Sequence, residues 1–158
     1  PWRDALEVVP ATGNETTLNI TGLAVDAPTE KNLVMRAYLL LANEYNLPKL
    51  DIYLHKAIPF GAGLGGGSAD AAFMLTMLNQ LFELGISEDK LAEYAATLGS
   101  DCAFFVYNYP MIASGRGEIL SPIKVDLSGY AIVLVKHPLA LAPPRHSRAS
   151  PPKSPKYR

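Results

Sequence analysis

A chain of 158 residues, 49% hydrophobic and 18% charged, is long enough for one globular domain with its own core, and its single Cys102 excludes an internal disulfide and any cysteine cluster with metal-ligand spacing. The net charge of −1 combines an acidic body with a basic end: every acidic residue precedes residue 139, whereas five of the 14 basic ones follow it, which argues against nucleic acid as a partner of the body. No apolar run approaches the roughly 18 residues of a membrane span, and the start lacks the charged and apolar regions of a signal peptide, so a reducing, cytoplasmic setting is expected.

Ala5 to Val9 and Thr17 to Thr21 are short segments separated by the turn-forming Ala11-Thr12-Gly13-Asn14, and they are expected to pair as an antiparallel hairpin. Pro28-Thr29-Glu30 offers a cap and an acidic first turn to a helix with Leu33, Ala37, Leu40, Leu41 and Tyr45 on one face, stopped at Asn46 and Pro48. Leu50, Ile52 and Leu54 then alternate with Asp51, Tyr53 and His55, the period of a half-buried strand in which His55 points away from the core. Lys56, at the strand's end, reads equally as a solvated lysine or as a contact to a ligand of the loop that follows.

That loop, Pro59-Phe60-Gly61-Ala62-Gly63-Leu64-Gly65-Gly66-Gly67-Ser68-Ala69, joins the strand to a helix with an apolar stripe of Ala72, Leu75, Leu78 and Phe82, closed by Gly85. Glycines let successive backbone N–H groups face one concavity, and a helix beginning there adds unpaired donors and the positive end of its dipole, a suitable cradle for phosphate. The spacing is not G-x-x-x-x-G-K-[ST], since no lysine follows the glycines. G-x-G-x-x-G across Gly61, Gly63 and Gly66 is not followed by the parallel unit that a dinucleotide site requires. Ser68 can cap the helix or face a phosphate, and Asp70 reads as a solvated carboxylate favoured by the helix dipole.

Ser87 should cap the next helix, with Leu91, Tyr94, Ala95 and Leu98 buried and a stop at Gly99. Asp101 just beyond it reads, from the residues alone, as a turn residue or the cap of a short segment, and Cys102 as packed rather than reactive. Tyr107-Asn108-Tyr109-Pro110 is turn-like, Arg116 between two glycines is a solvated loop arginine or a phosphate contact, and Ile132 to Val135 is expected to be a buried strand. Residues 139–158, with five prolines and no hydrophobic periodicity after Ala142, are expected to be a disordered basic tail on a domain of residues 1–138.

Residues Pro59 to Ala69 resemble the P-x-x-x-G-L-G-(G)-G/S-S-S/A loop of the GHMP kinase superfamily, with Ala69 where a second serine is common. Asn32-Leu33-Val34-Met35-Arg36-Ala37, Leu98-Gly99-Ser100-Asp101-Cys102-Ala103-Phe104-Phe105 and Ala113-Ser114-Gly115-Arg116-Gly117-Glu118 resemble the same family in order and spacing. The resemblance implies an α+β N-terminal domain of the ribosomal protein S5 domain 2-like type, an antiparallel sheet with helices on one side. It also implies ATP with Mg2+ on the Pro59–Ala69 loop, Ser68 near the metal, Asn32 and Lys56 around base and ribose, and Asp101 as acceptor of the substrate hydroxyl's proton. Cys102 and Ala103 replace the usual Val and Pro beside that carboxylate.

Within the superfamily, the triple glycine points to the branch that phosphorylates the 2-hydroxyl of 4-diphosphocytidyl-2-C-methyl-D-erythritol in non-mevalonate isoprenoid synthesis. A kinase of homoserine, mevalonate or a sugar, and a non-catalytic nucleotide-binding module, are the alternatives, and monomer and homodimer both stay open. The family carries a lysine and a Gly-Tyr-His segment ahead of the position of Pro1 and a second domain beyond Pro138. The chain is therefore expected to begin inside a larger protein, with its tail a truncation or out-of-frame artefact.

Overall fold

A computed structural model describes residues 3–25, 28–115, 117 and 119–135. The expected tail of residues 139–158 and Arg116 lie outside the described residues. The elements in order are β1 (Ala5–Pro10), β2 (Thr17–Gly22), a 3-10 turn (Thr29–Lys31), α1 (Leu33–Tyr45), β3 (Leu50–Lys56), α2 (Gly66–Leu81), α3 (Glu88–Leu98), α4 (Cys102–Tyr107), β4 (Met111–Ser114) and β5 (Ile119–Pro122). This is an α+β arrangement.

The expected hairpin of β1 and β2 does not form. The strand order is β1-β3-β2, with β3 inserted between them, antiparallel to β1 and parallel to β2, so the sheet is mixed. The inner row of β3 suits this central position: Leu50, Ile52 and Leu54 are each at most 2% exposed. The Ala11–Asn14 turn is bonded to β3 instead of closing a hairpin. Thr12 donates its N–H and its hydroxyl to Asp51 Oδ2 (3.1 and 3.3 Å), and the Thr17 hydroxyl donates to Asp51 Oδ1 (2.7 Å). The Thr17 bond is the main cause holding the Asp51 carboxyl below the usual carboxylate range.

Helix α1 starts later than expected. Thr29–Lys31 is a separate 3-10 turn, and Asn32 is the cap, its Oδ1 accepting the Val34 N–H at 2.9 Å. Its end at Asn46, left-handed with φ 51°, matches the expectation. Helix α3 begins as expected at Ser87, whose hydroxyl accepts the Lys90 N–H at 3.3 Å. The core joins α1 (Val34, Tyr38, Leu41), the inner row of β3, α2 (Met74, Leu75, Leu78), α3 (Leu91, Ala95) and Cys102 at the head of α4. Ile132 to Val135 is not the expected buried strand: it has no strand conformation, and Ile132, Val133 and Val135 are more than four-fifths exposed. This apolar run has no neighbouring strand to pair with among the described residues. No described helix is long and apolar enough to cross a membrane.

The α2–α3 connection is closed by one side chain. Asn79 Nδ2 donates to the Ile86 carbonyl (2.9 Å) and its Oδ1 accepts the Ile86 N–H (3.0 Å), imitating a backbone pair. Asn79→Ala leaves both backbone groups without that partner, so it should lower the unfolding free energy by about 1–3 kcal/mol, read as a shifted urea midpoint with unchanged slope.

Candidate active site

The inward alternation of β3 does not stop with Leu54. Lys56 is the next residue on the same face and is only 4% exposed, so the solvated reading is corrected. A buried ammonium requires acceptors, and it has two: Asp4, from the segment leading into β1, and Asp70 of α2 at 2.6 Å. Asp70 is therefore not the solvated carboxylate expected from its first-turn position; it is 8% exposed and turned inward. Asp4 also binds the backbone, its Oδ1 accepting the Ala57 and Ile58 N–H groups at 2.7 and 2.8 Å.

Between Ile58 and α2 the loop uses its glycines for their conformational freedom. Gly61, Gly63 and Gly65 have φ of 68°, 72° and 70°, the left-handed region. Gly65 has a second reason to be glycine, since a Cβ there would lie 2.5 Å from the Phe105 ring. Gly65, not Ser68, is the N-cap of α2, and it makes no side-chain cap bond. Ser68 sits inside the first turn with its hydroxyl beside the Cys102 thiol. Among the described residues no side chain caps the first N–H groups of α2, which leaves them open to an anion.

Among the described residues, three cavities border this segment. One of about 290 Å³ is lined by Gly63, Leu64 and Gly65 together with Asp101, Phe104, Phe105, Ala113, Gly117 and Leu120, so the loop and the acidic residue singled out by the sequence share a single opening. A second, of about 170 Å³, gathers Asn32 and Lys56 with Lys31, Phe60, Gly67 and Asp70. The third, of about 630 Å³, lies against Arg3, Asp4, Leu6, Ile58, Ala69, Asp70, Phe73, Met77 and Asn108. Ala69 thus faces a different cavity from Asp101.

Asp101 occupies the N-cap position of α4 without making a side-chain cap bond; the Ser100 hydroxyl donates to its Oδ1 at 3.1 Å. Its carboxylate is exposed, and the backbone beneath it is anchored by the Cys102 N–H to the Gly99 carbonyl (3.1 Å) and by a fully buried Cys102. Burial pushes the Cys102 thiol up, with the Ser68 hydroxyl opposing, in keeping with a packed side chain. His55 faces outward, its Nδ1 hydrogen-bonded to the Thr21 hydroxyl at 3.0 Å. Two residues escaped the sequence reading. Phe105 carried no signal as the ring that packs on Gly65, and Asp4 none at all, whereas the burial of Lys56 was visible in the period of β3.

Burial pushes the Asp70 carboxyl up to about 6, with Lys56 opposing and Asp4 adding to the rise. Burial also acts on Asp4, but Lys56 and the two backbone N–H groups outweigh it and hold Asp4 below the usual range. A carboxyl raised in the folded state keeps a proton that the unfolded chain releases, so Asp70 withdraws stability as pH climbs from about 4 to about 6. Asp4 works in the opposite sense and in a lower window, its contribution being lost as pH falls below the usual carboxylate value. Urea unfolding at about pH 4.5 and about pH 7.5 should show the stability difference moving in favour of Asp70→Asn over wild type at the higher pH. An unchanged difference would remove the raised carboxyl.

Residues 32–109 match the family model described as the GHMP kinases N terminal domain. The chain is 54% identical over 138 residues to the 4-diphosphocytidyl-2-C-methyl-D-erythritol kinase of Bacteroides fragilis, covering 86% of this chain and 50% of that protein. It is 49% identical over 144 residues to the kinase of the same name from Parabacteroides distasonis, covering 91% and 52%. A crystal structure of 4-(cytidine 5'-diphospho)-2C-methyl-D-erythritol kinase superposes with a TM-score of 0.62 at 36% identity, over 78% of this chain and 42% of that one. The chain spans about half the length of the curated relatives it matches. With its glycine loop, its α+β arrangement and these matches, the chain contains a GHMP kinase N-terminal domain.

Proposed function

We propose that this chain is the nucleotide-binding part of an ATP-dependent kinase that phosphorylates the 2-hydroxyl of 4-diphosphocytidyl-2-C-methyl-D-erythritol, in a cytoplasmic setting. The observation that carries the reading is the shared cavity of Asp101 and Gly63–Gly65, in which the carboxylate and the glycine loop line one opening. In this reading the Pro59–Ala69 backbone and the first turn of α2 hold the β- and γ-phosphates. Asp101 takes the proton of the acceptor hydroxyl as its oxygen bonds to the γ-phosphorus, and the bond from that phosphorus to the β–γ bridging oxygen breaks to release ADP. Asn32 and Lys56, lining the neighbouring cavity, flank the nucleoside. Lys56 does so with its ammonium already held by two carboxylates, so its part is to shape that wall more than to donate a free charge.

The described residues hold no cluster of three His, Cys, Asp or Glu side chains suited to a metal. A Mg2+ carried mainly by phosphate oxygens and water fits such a lining; Ser68, whose hydroxyl lies beside the Cys102 thiol, would have to turn from it to add a hydroxyl to the ion. Such an ion would neutralise phosphate charge. A second reading, a nucleotide-binding module without turnover, draws support from the lining of the Asp101 cavity, where no described lysine or arginine stands opposite the carboxylate.

Two variants test the proposal. With ATP, Mg2+ and the cytidyl substrate, the full-length protein carrying this chain should yield the 2-phosphate by phosphorus NMR, and Asp101→Asn should lower the rate by about two to four orders of magnitude while leaving ATP affinity within about twofold of wild type. Gly65→Ala, which meets both a left-handed φ and the Phe105 ring, should weaken ATP binding by at least about tenfold in calorimetry. ATP binding without phosphoryl transfer would favour the module, and no ATP binding would dismiss both readings.

A further inference from the structure

We propose that Asp4 is a positioning residue for the phosphate cradle, a carboxylate that pins both ends of the glycine-rich loop from outside it; the inference rests on the reading of that loop as the ATP site. The segment from Ala57 to Gly65 has neither helix nor strand and contains three left-handed glycines, so it has much conformational freedom to lose when it closes on a ligand. Its departure from β3 is held directly: Asp4 Oδ1 accepts from Ala57 and Ile58, the first two residues after the strand. The far end is held by relay, since Asp4 Oδ2 accepts from Lys56 Nζ and the same ammonium reaches Asp70 in α2 at 2.6 Å.

The two ends also meet. A Cβ on Gly66 would come within 3.0 Å of Ile58 Cγ2 and 3.4 Å of Asp4 Oδ2, so the start of α2 rests against the pinned strand exit and against the carboxylate itself. The side chains of Lys56, Asp4 and Asp70 are 4%, 6% and 9% exposed, which leaves little water to compete for these bonds. Stability alone does not call for such an arrangement, because one ammonium and two carboxylates are costly to desolvate and apolar side chains of similar volume would pack as well. What the charges add is direction: the carboxylate of Asp4 fixes two named backbone N–H groups at the root of the loop. The loop is then partly ordered before ATP arrives, and less ordering has to be met from the binding energy.

Hydrogen exchange on the whole chain without ATP, together with calorimetric ATP titration, tests this in wild type, Asp4→Ala and Asp4→Asn. In Asp4→Ala the Ala57 and Ile58 amides should exchange about 10- to 100-fold faster, with Ile52 in β3 and Leu75 in α2 keeping wild-type protection, and ATP should bind about tenfold more weakly. Asp4→Asn retains an acceptor for the two amides and should recover part of both effects, which a purely volumetric role would not produce. The proposal falls if Ala57 and Ile58 keep their protection, if Ile52 and Leu75 lose theirs to the same extent, or if the loop loosens with ATP affinity unchanged. Failure of wild type to bind ATP would overturn the kinase reading, and the exchange comparison would still decide whether Asp4 pins the loop.

Discussion

The inward row of β3, Leu50, Ile52, Leu54 and Lys56, is the constraint on which the rest of the fold depends. Its three apolar members are buried under the helical layer, and β3 lies at the centre of the sheet between β1 and β2. The fourth member is an ammonium carried inward by the same alternation. Left alone it would cost several kcal/mol, so carboxylates from two other parts of the chain come to it. Asp4 brings the lead into β1, and Asp70 brings the head of α2. A packing requirement in a strand thereby becomes an electrostatic requirement at the root of the glycine loop.

A second contact sets the far side of the loop. Phe105 of α4 lies so close to Gly65 that no side chain fits between them, and Phe104 meets Phe105 edge-on with ring centroids 5.1 Å apart. Helix α4 begins at a buried Cys102 directly after Asp101, so the packing that seats α4 on the loop also sets where the carboxylate emerges. The loop is consequently held from below by charge and from one side by an aromatic ring, and its open faces are the cavities of Asp101 and of Asn32.

Features written in local patterns were legible in the sequence. The Ser87 cap, the Asn46 stop, the apolar stripe of α2 and the outward His55 follow from propensity and period, which act within one element. The start of α1 was misjudged because Pro28-Thr29-Glu30 and Asn32 both offer cap chemistry four residues apart or less, and backbone geometry selected Asn32. Ile132 to Val135 has the composition of a strand, but a strand exists only by pairing, and the described residues supply no partner.

By itself the sequence determined the glycine loop, the helix behind it, an acidic residue at the head of a short segment and the α+β class, because each depends on neighbours a few residues apart. Only the tertiary structure decided that β3 separates β1 from β2, that Asp70 is buried, and that Asp4, 52 residues before Lys56, completes its ion pairs. The physical reason is the same in each case. A buried charge or an unpaired strand edge is satisfied by whichever group the whole fold brings near, and no local pattern records which group that will be.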